Sequence, residues 1–148
     1  MKKLSILFLS VLALGLSVSS CNSDDDNGGV SGSIEGKWEA SEFGVIVNGK
    51  ETLQPVVEPG GCAKSITEFS KDGKFIDTYS EYANSKCSSY TDNGTYTVSE
   101  GKLKLKYEGE TEEDVSEIVE LTATKLKTKV TYTEGGQTFS EVYVYIKK

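Results

Sequence analysis

The sequence contains no histidine and no arginine, so its sixteen basic residues are all lysine. Without histidine, the chain lacks the commonest general base and the commonest metal ligand. Without arginine, it lacks the bidentate clamp for phosphates and carboxylates. The formal net charge of −7 disfavours nucleic acid, whose binding needs concentrated positive charge. These absences predict a protein that is not an enzyme and that binds no metal, cofactor or nucleic acid.

Helical periodicity is also lacking, because no stretch places apolar residues at every third or fourth position. Short runs of β-branched and aromatic residues alternate instead with turn signals, among them Asn48-Gly49, which is typical of a type I′ hairpin turn. The predicted strands are residues 34–47, 50–57, 63–70, 74–82, 94–98, 102–108, 115–121, 126–133 and 137–146. Cys87 falls in a polar loop between the fourth and fifth of them. This spacing predicts an all-β sandwich or barrel of antiparallel hairpins.

The N-terminal segment carries an export pattern. Lys2 and Lys3 precede an apolar run over residues 4–18, which is too short for a spanning helix and is followed by small residues and Cys21. The pattern resembles the lipobox of bacterial lipoproteins, in which small residues precede an invariant cysteine. The resemblance implies cleavage before Cys21, a lipid on that residue and a membrane as partner. The alternative is an ordinary secretory signal in which Cys21 is incidental.

The chain divides into three predicted segments. They are a signal peptide over residues 1–20, a flexible acidic tether over 21–33 and one folded domain over 34–148. Asp24–Asp26 lack the ligand spacing of a calcium loop, so we interpret them as part of a solvated linker. Acidic residues just after a lipidated cysteine resemble the surface-export signal of some Gram-negative lipoproteins. That resemblance implies an outer-membrane, outward-facing location.

Two cysteines remain if Cys21 carries a lipid, and these are Cys62 and Cys87. An exported chain resides in an oxidising compartment, so a disulfide between them is the expected state. Closing a loop of this length would stabilise the fold by roughly 3.5 kcal/mol on the chain-entropy model. The alternative is a pair of free, buried thiols.

Alternation along the strands predicts which side chains face inward. Residues 102–107 place lysines on one face and apolar side chains on the other, and residues 126–132 repeat the pattern with Val130 and Tyr132 inward. We interpret the lysine face as a solvated outer surface rather than an anion site. The last strand, residues 137–146, is apolar on both faces, so it is either covered on both sides or meets a partner.

The strand over residues 74–82 raises one catalytic alternative. Asp77 and Glu81 fall on the same strand face, and a glycosidase uses two such carboxylates. Their spacing is nevertheless that of ordinary strand alternation. We therefore predict that this face is outward and solvated, with Ile76, Thr78 and Tyr82 directed inward.

A wider resemblance begins at Gly36-Lys37-Trp38, which is similar to the Gly-X-Trp signature of lipocalins. The short lipocalin-like domains of bacterial lipoproteins follow that signature with a cysteine, a Phe…Asp-Gly turn, a second cysteine and Gly-Thr-Tyr-Thr-Val. Here these are Cys62, Phe69 with Asp72-Gly73, Cys87 and Gly94–Val98. The resemblance implies a small antiparallel up-and-down β-barrel of about eight strands, closed at one end by Trp38. The arginine that often covers that tryptophan is absent, and Lys147 is the only late candidate to replace it.

The resemblance also implies a function. A barrel of this size either holds one small ligand or is filled by side chains. We expect a lipid-anchored lipoprotein of the cell envelope that binds a small hydrophobic or amphipathic ligand. The candidate interior residues are Trp38, Tyr96, Leu103, Leu105, Val130, Tyr132 and Tyr143. The alternative is a solid barrel whose outer surface contacts another envelope protein, a glycan or a host protein. An open cavity would favour the first hypothesis.

Overall fold

The structure, a computed structural model, describes residues 30–148 apart from the side chain of Glu134. The predicted signal peptide, Cys21 and the acidic run of the tether lie outside this range. Residues 30–33, which the sequence analysis assigned to the tether, lie beside Leu121. The backbone N–H groups of Ser31 and Gly32 both donate to the carbonyl oxygen of Leu121 at 3.0 Å. Within the described residues, no helix has the length and apolar character that crossing a bilayer requires.

Nine strands and one short 3-10 turn, Pro59–Gly61, organise the described residues. The strands are β1 (Gly36–Val47), β2 (Lys50–Pro55), β3 (Ile66–Phe69), β4 (Lys74–Ala83), β5 (Lys86–Ser99), β6 (Lys102–Tyr107), β7 (Asp114–Leu121), β8 (Lys125–Glu134) and β9 (Gln137–Lys147). All nine predicted strands are present. Asn48 and Gly49 have φ angles of 52° and 77°, which confirms the left-handed two-residue turn that their sequence predicted.

The predicted polar loop around Cys87 is wrong, because β5 begins at Lys86 and contains that cysteine. The chain reverses instead in two residues, Asn84 and Ser85, whose φ angles are 52° and 61°. A turn with two positive φ angles matches the twist of the flanking strands, so β4 and β5 pair without interruption up to the turn. The serine-rich start of β5 has little strand propensity of its own, and its pairing with β4 determines its conformation.

The strands close into a barrel. They follow the order β2-β1-β3-β4-β5-β6-β7-β8-β9, and β1 also pairs with β9. β1 and β3–β9 therefore form a closed, eight-stranded antiparallel barrel, as predicted. The early part of β1 pairs with β3 and its later part with β2. A bulge between Ala40 and Glu42 lies at the change of partner.

The β1–β2 hairpin covers the outer face of β9. Val142 and Val144 point away from the barrel interior, yet their exposed fractions are only 0% and 2%. Glu51 of β2 pairs at 2.8 Å with Lys127 of β8, although β9 and β1 lie between these strands in the sheet. In a flat sheet the two strands would be about 14 Å apart, so the sheet folds back over β9. The outer face of the last strand is therefore covered by the chain itself at Val142 and Val144, whereas Ile146 on the same face is 41% exposed.

One end of the barrel is filled by a packed core. Its buried residues are Ile34, Trp38, Phe69, Phe75, Leu103, Ile118, Leu121 and Leu126. Trp38 is fully buried, and its indole N–H donates to the carbonyl oxygen of Ile34 at 2.6 Å. The ammonium nitrogen of Lys147 lies 5.0 Å from the centre of the Trp38 ring, where a cation–π contact forms. Lys147 thus takes the place of the missing arginine, and Trp38 closes this end as predicted.

The Gly-X-Trp signature has a physical basis at its first residue. Gly36 has a φ of 114°, which side chains other than glycine rarely adopt. A Cβ atom at this position would also lie 2.8 Å from Cε of Lys147. Glycine therefore leaves the space in which the lysine chain reaches the tryptophan ring.

Candidate functional site

The half of the barrel away from Trp38 is open and contains a cavity of about 430 Å³. Its walls come from β1, β3, β4, β5, β6 and β9 and from the loop over residues 56–65. The lining residues include five aromatic residues of the barrel wall, namely Phe43, Tyr79, Tyr107, Tyr143 and Tyr145. The bulge in β1 permits this arrangement, because beyond it Phe43 pairs with Tyr143 and their ring centres are 5.2 Å apart.

Further cavities adjoin this one and share its aromatic walls. A second, of about 370 Å³, is bordered by Leu105, Val130 and the same tyrosines of β6 and β9. A third, of about 340 Å³, lies outside Tyr107 between β5 and the end of β6. A small internal space of about 110 Å³ continues toward Trp38. Tyr107 borders all four, so it marks the centre of the site.

Asp77 and Tyr107 form the polar part of the cavity floor. The Tyr107 hydroxyl donates to Oδ2 of Asp77 at 2.8 Å, and the Thr67 hydroxyl donates to Oδ1. Burial, and secondarily the Asp77 charge, raises the pKa of Tyr107 well above its usual range. Burial likewise raises the pKa of Tyr145 to about 12. Both hydroxyls therefore stay protonated at neutral pH, and that of Tyr107 donates to Asp77.

The predicted orientation of the fourth strand is wrong. Phe75 has an exposed fraction of 1% and belongs to the core, and Asp77 and Tyr79 border the cavity. Ile76 and Tyr82, which were predicted to face inward, are instead 42% and 45% exposed. Phe69 and Phe75 pair directly across the β3–β4 turn, so they share one face. Because Phe69 is also buried in the core, Phe75 must point inward, and alternation carries Asp77 with it.

The inward position of Asp77 determines the partners of its carboxylate. Its carboxylate is bound by two hydroxyls, those of Thr67 and Tyr107. Glu81 is exposed and does not border the cavity that Asp77 lines. The two carboxylates therefore do not form the paired constellation that a glycosidase requires.

A second carboxylate at the open end is held by two tyrosines. The hydroxyls of Tyr132 and Tyr143 donate to opposite oxygens of Glu141, the latter at 2.7 Å. These hydrogen bonds lower the pKa of Glu141. Burial and the bond to Glu141 raise the pKa of Tyr143. The pair of bonds fixes the Tyr143 ring, which separates the two larger cavities.

The loop over residues 56–65 forms one side of the cavity mouth and is pinned at two points. The predicted disulfide between Cys62 and Cys87 is present, with Cα atoms 5.6 Å apart, and it ties the loop to the start of β5. Gly60, with a φ of 66°, lies under the ring of Tyr82, which a Cβ atom would approach to 2.2 Å. Val56 and Glu58 of the loop border the cavity.

The predicted interior residues fall in three places. Leu105, Val130 and Tyr143 border the open cavities. Trp38 and Leu103 belong to the packed core, where they border only the small internal space. Tyr96 packs edge-on against Phe69 at the closed end, and Tyr132 lies at the opposite rim against Phe139.

Sequence reasoning missed several residues of the site. Strand alternation placed Tyr107 on the inward face with Leu105, and Tyr145 on the same face as Tyr143, but neither was named as a site residue. Asp77 was missed because a carboxylate is seldom placed on an inward face. Phe43 carries no sequence signal, since its orientation depends on the bulge in β1. Among residues 30–148, no three acidic or cysteine side chains are grouped closely enough to hold a metal ion.

Fold and site together define a small closed β-barrel with one filled end and a ligand-sized cavity at the other. Residues 34–128 match the family model described as a lipocalin-like domain. The match covers more than half of the sequence, and the chain therefore belongs to the lipocalin-like domain family. No curated protein sequence matches it significantly.

Solved bacterial structures share this fold. A lipocalin-like protein from Bacteroides uniformis ATCC 8492 superposes with a TM-score of 0.53 at 13% identity, covering 78% of this chain and 98% of that chain. An uncharacterized protein from Bacteroides eggerthii DSM 20697 gives 0.52 at 18% identity, covering 77% and 98%. At these identities the likeness concerns the fold alone.

Proposed function

We propose that this chain is a lipid-anchored protein of the cell envelope whose barrel binds a small hydrophobic or amphipathic molecule. The observation that carries the binding function is the cavity of about 430 Å³, a volume typical of sites for small organic ligands. Its walls combine aromatic rings with hydroxyl groups, which suits a ligand with an apolar body and a polar group. An eight-stranded barrel is wide enough to enclose one such molecule.

The open half of the barrel supports this proposal over the solid-barrel alternative. Side chains fill the interior around Trp38, but they leave the space between Tyr107, Tyr143 and Val130 open. A protein that acted only through its outer surface would have no need of an open, ring-lined interior. The outer face of β9, a possible partner surface on sequence grounds, is buried at Val142 and Val144, beside the β1–β2 hairpin.

Anchoring and location rest on the N-terminal sequence. The lipobox-like stretch before Cys21 supports lipidation of that residue. The acidic run Asp24–Asp26 supports an outward-facing position on the outer membrane. A tethered barrel at that surface would take up its ligand from the surroundings of the cell.

The proposal is tested by uptake of ligand into the purified protein. Native mass spectrometry should detect a copurified small molecule, and a thermal-shift screen should find ligands that raise the melting temperature by mass action. The screen should contain fatty acids, retinoids, porphyrins, sterols and long-chain amines. Binding that buries apolar area should also show a negative heat-capacity change in calorimetry.

Matched tryptophan substitutions locate the site. Val130→Trp adds a large ring at the wall of the second cavity, and Ala40→Trp adds one at the wall of the main cavity; at least one of them should abolish uptake of any ligand that the screen finds. Lys104→Trp places the same ring on the outer face of β6 and should leave uptake unchanged. If no compound binds the wild-type protein, or if both cavity variants bind as well as Lys104→Trp does, the carrier function is refuted.

A further inference from the structure

We infer that the ligand of this cavity is an organic cation, in which a protonated amine or a quaternary ammonium group is joined to an apolar body. The inference rests on the proposed binding function and adds the chemical class of the ligand. The first supporting observation is the sign of the charged residues that border the cavities. Within residues 30–148, no lysine borders the main cavity or the three spaces that adjoin it. Seven acidic residues do, namely Glu42, Glu58, Asp77, Asp92, Glu108, Glu110 and Asp114. Asp92, Glu108, Glu110 and Asp114 are exposed at the borders, and Glu42 pairs with Val144, so Asp77 and Glu58 are the inner members of the set.

The lysines of the described chain lie away from these cavities, and Lys147 covers Trp38 at the closed end. On β8, Lys125 pairs with Glu120 at 2.9 Å and Lys129 pairs with Glu117 at 3.0 Å, both on the outer face. The other ion pairs of the described residues are Lys37–Glu68, Lys74–Asp72, Lys127–Glu51 and Lys148–Glu39. None of these pairs uses a carboxylate that borders a cavity. The charge of the cavity is therefore not neutralised by the side chains of residues 30–148.

Asp77 is the deepest of these carboxylates. Its oxygens are bound by the neutral hydroxyls of Thr67 and Tyr107, which orient the group but do not cancel its charge. A part-buried carboxylate without a cationic partner is stabilised by any cation that enters beside it. Asp92 lies directly across from Asp77 in the β4–β5 pairing and borders the same cavity, so the two charges act on the same space.

The aromatic walls favour the same kind of ligand. Phe43, Tyr79, Tyr107, Tyr143 and Tyr145 border the main cavity. The faces of such rings carry a negative potential and attract ammonium groups, an arrangement that recurs in sites for quaternary amines. The tyrosine hydroxyls remain protonated, since burial raises the pKa of Tyr107, Tyr143 and Tyr145. The rings thus accept a cation without adding a titrating charge.

Competing ligand classes fit less well. A fatty acid or another carboxylate would have to enter beside Asp77 and Asp92 with no lysine in the walls to pair with it. A bare metal ion needs several ligands at close range, and the described carboxylates are not grouped closely enough to supply them. An amphiphilic cation meets both features of the site, the dispersed negative charge and the ring surface.

The test compares three probes that share a decyl chain and differ in charge: decyltrimethylammonium, decanol and decanoate. Each is titrated by calorimetry into the purified protein below its micelle-forming concentration. Decyltrimethylammonium should bind at least about tenfold more tightly than decanol, with decanoate weakest, and added salt should reduce the difference. If decanol or decanoate binds as tightly as the cation, the inference is overturned while the binding function stands. If none of the three binds and the wider screen is also empty, both fail.

Charge-neutralising variants locate the effect. Asp77→Asn should weaken decyltrimethylammonium binding by about tenfold and leave decanol binding within about twofold. Asp72→Asn removes the same charge from the exposed β3–β4 turn, where Asp72 pairs with Lys74, and should change neither. Asp92→Asn serves as a second cavity variant should Asp77→Asn not fold. Equal losses in the cavity and turn variants would show a general effect of net charge and would overturn the assignment.

Discussion

The disulfide between Cys62 and Cys87 should contribute about 3.5 kcal/mol to the free energy of unfolding. The two cysteines are 25 positions apart, and on the chain-entropy model a loop of this length restricts the unfolded chain by that amount. The bond ties the loop over residues 56–65 to β5 at the cavity mouth, far from the core around Trp38. Without it, the barrel should still fold, but its melting temperature should fall by roughly 10–15 °C.

Differential scanning calorimetry of the wild type and of Cys62→Ser/Cys87→Ser, each with and without dithiothreitol, measures this contribution. The reduced wild type should melt at the temperature of the double variant, and the double variant should not respond to the reductant. Peptide mapping must show that the wild-type bond is intact before reduction and broken after it. A melting temperature that stays within about 3 °C while mapping shows reduction would refute the loop-entropy reasoning. Free thiols at both positions before reduction would refute the pairing itself.

Two further predictions address the anchor and the corrected strand. Cys21→Ala should abolish incorporation of a labelled fatty acid in cells and release the protein in soluble form, and undiminished label in the variant would contradict lipidation at that residue. Phe75→Ala should lower the free energy of unfolding by about 3–5 kcal/mol in urea titrations, whereas Ile76→Ala should lower it by less than about 1 kcal/mol. A larger loss at Ile76 than at Phe75 would mean that β4 faces the other way.

The sequence predicted the strands well wherever turn chemistry and alternation were local. Asn48-Gly49 adopts the predicted turn, and the lysines of residues 102–107 leave Leu103 inward because one face of that strand is wholly polar. These signals reside in neighbouring residues and need no knowledge of the rest of the chain. They were sufficient to predict an all-β sandwich or barrel of antiparallel hairpins, and the closed eight-stranded barrel was implied by the lipocalin resemblance.

The errors arose where the deciding contact lies on another strand. In β4, both faces carry aromatic or aliphatic side chains, so alternation alone cannot choose between Phe75 and Ile76. The choice is made by Phe69 across the turn and by Gly94 of β5, where a Cβ atom would lie 2.5 Å from the Phe75 ring. The extent of β5 likewise depends on its pairing with β4. The cavity depends on the bulge in β1 and on the pinned loop, which no local pattern encodes.

The hairpin that covers β9 also bears on how the barrel closes during folding. Joining β1 to β9 brings together segments at opposite ends of the domain, so this step carries the largest loop-closure entropy of any strand pairing here. The β1–β2 hairpin needs only the Asn48-Gly49 turn and can form early. Once formed, it presents β9 with an edge to pair with and a surface that buries Val142 and Val144. β9 therefore buries apolar side chains in the same step in which its pairing with β1 costs chain entropy. In this topology, the β1–β9 pairing is the one expected to be slowest, and it takes place on a hairpin that has already formed.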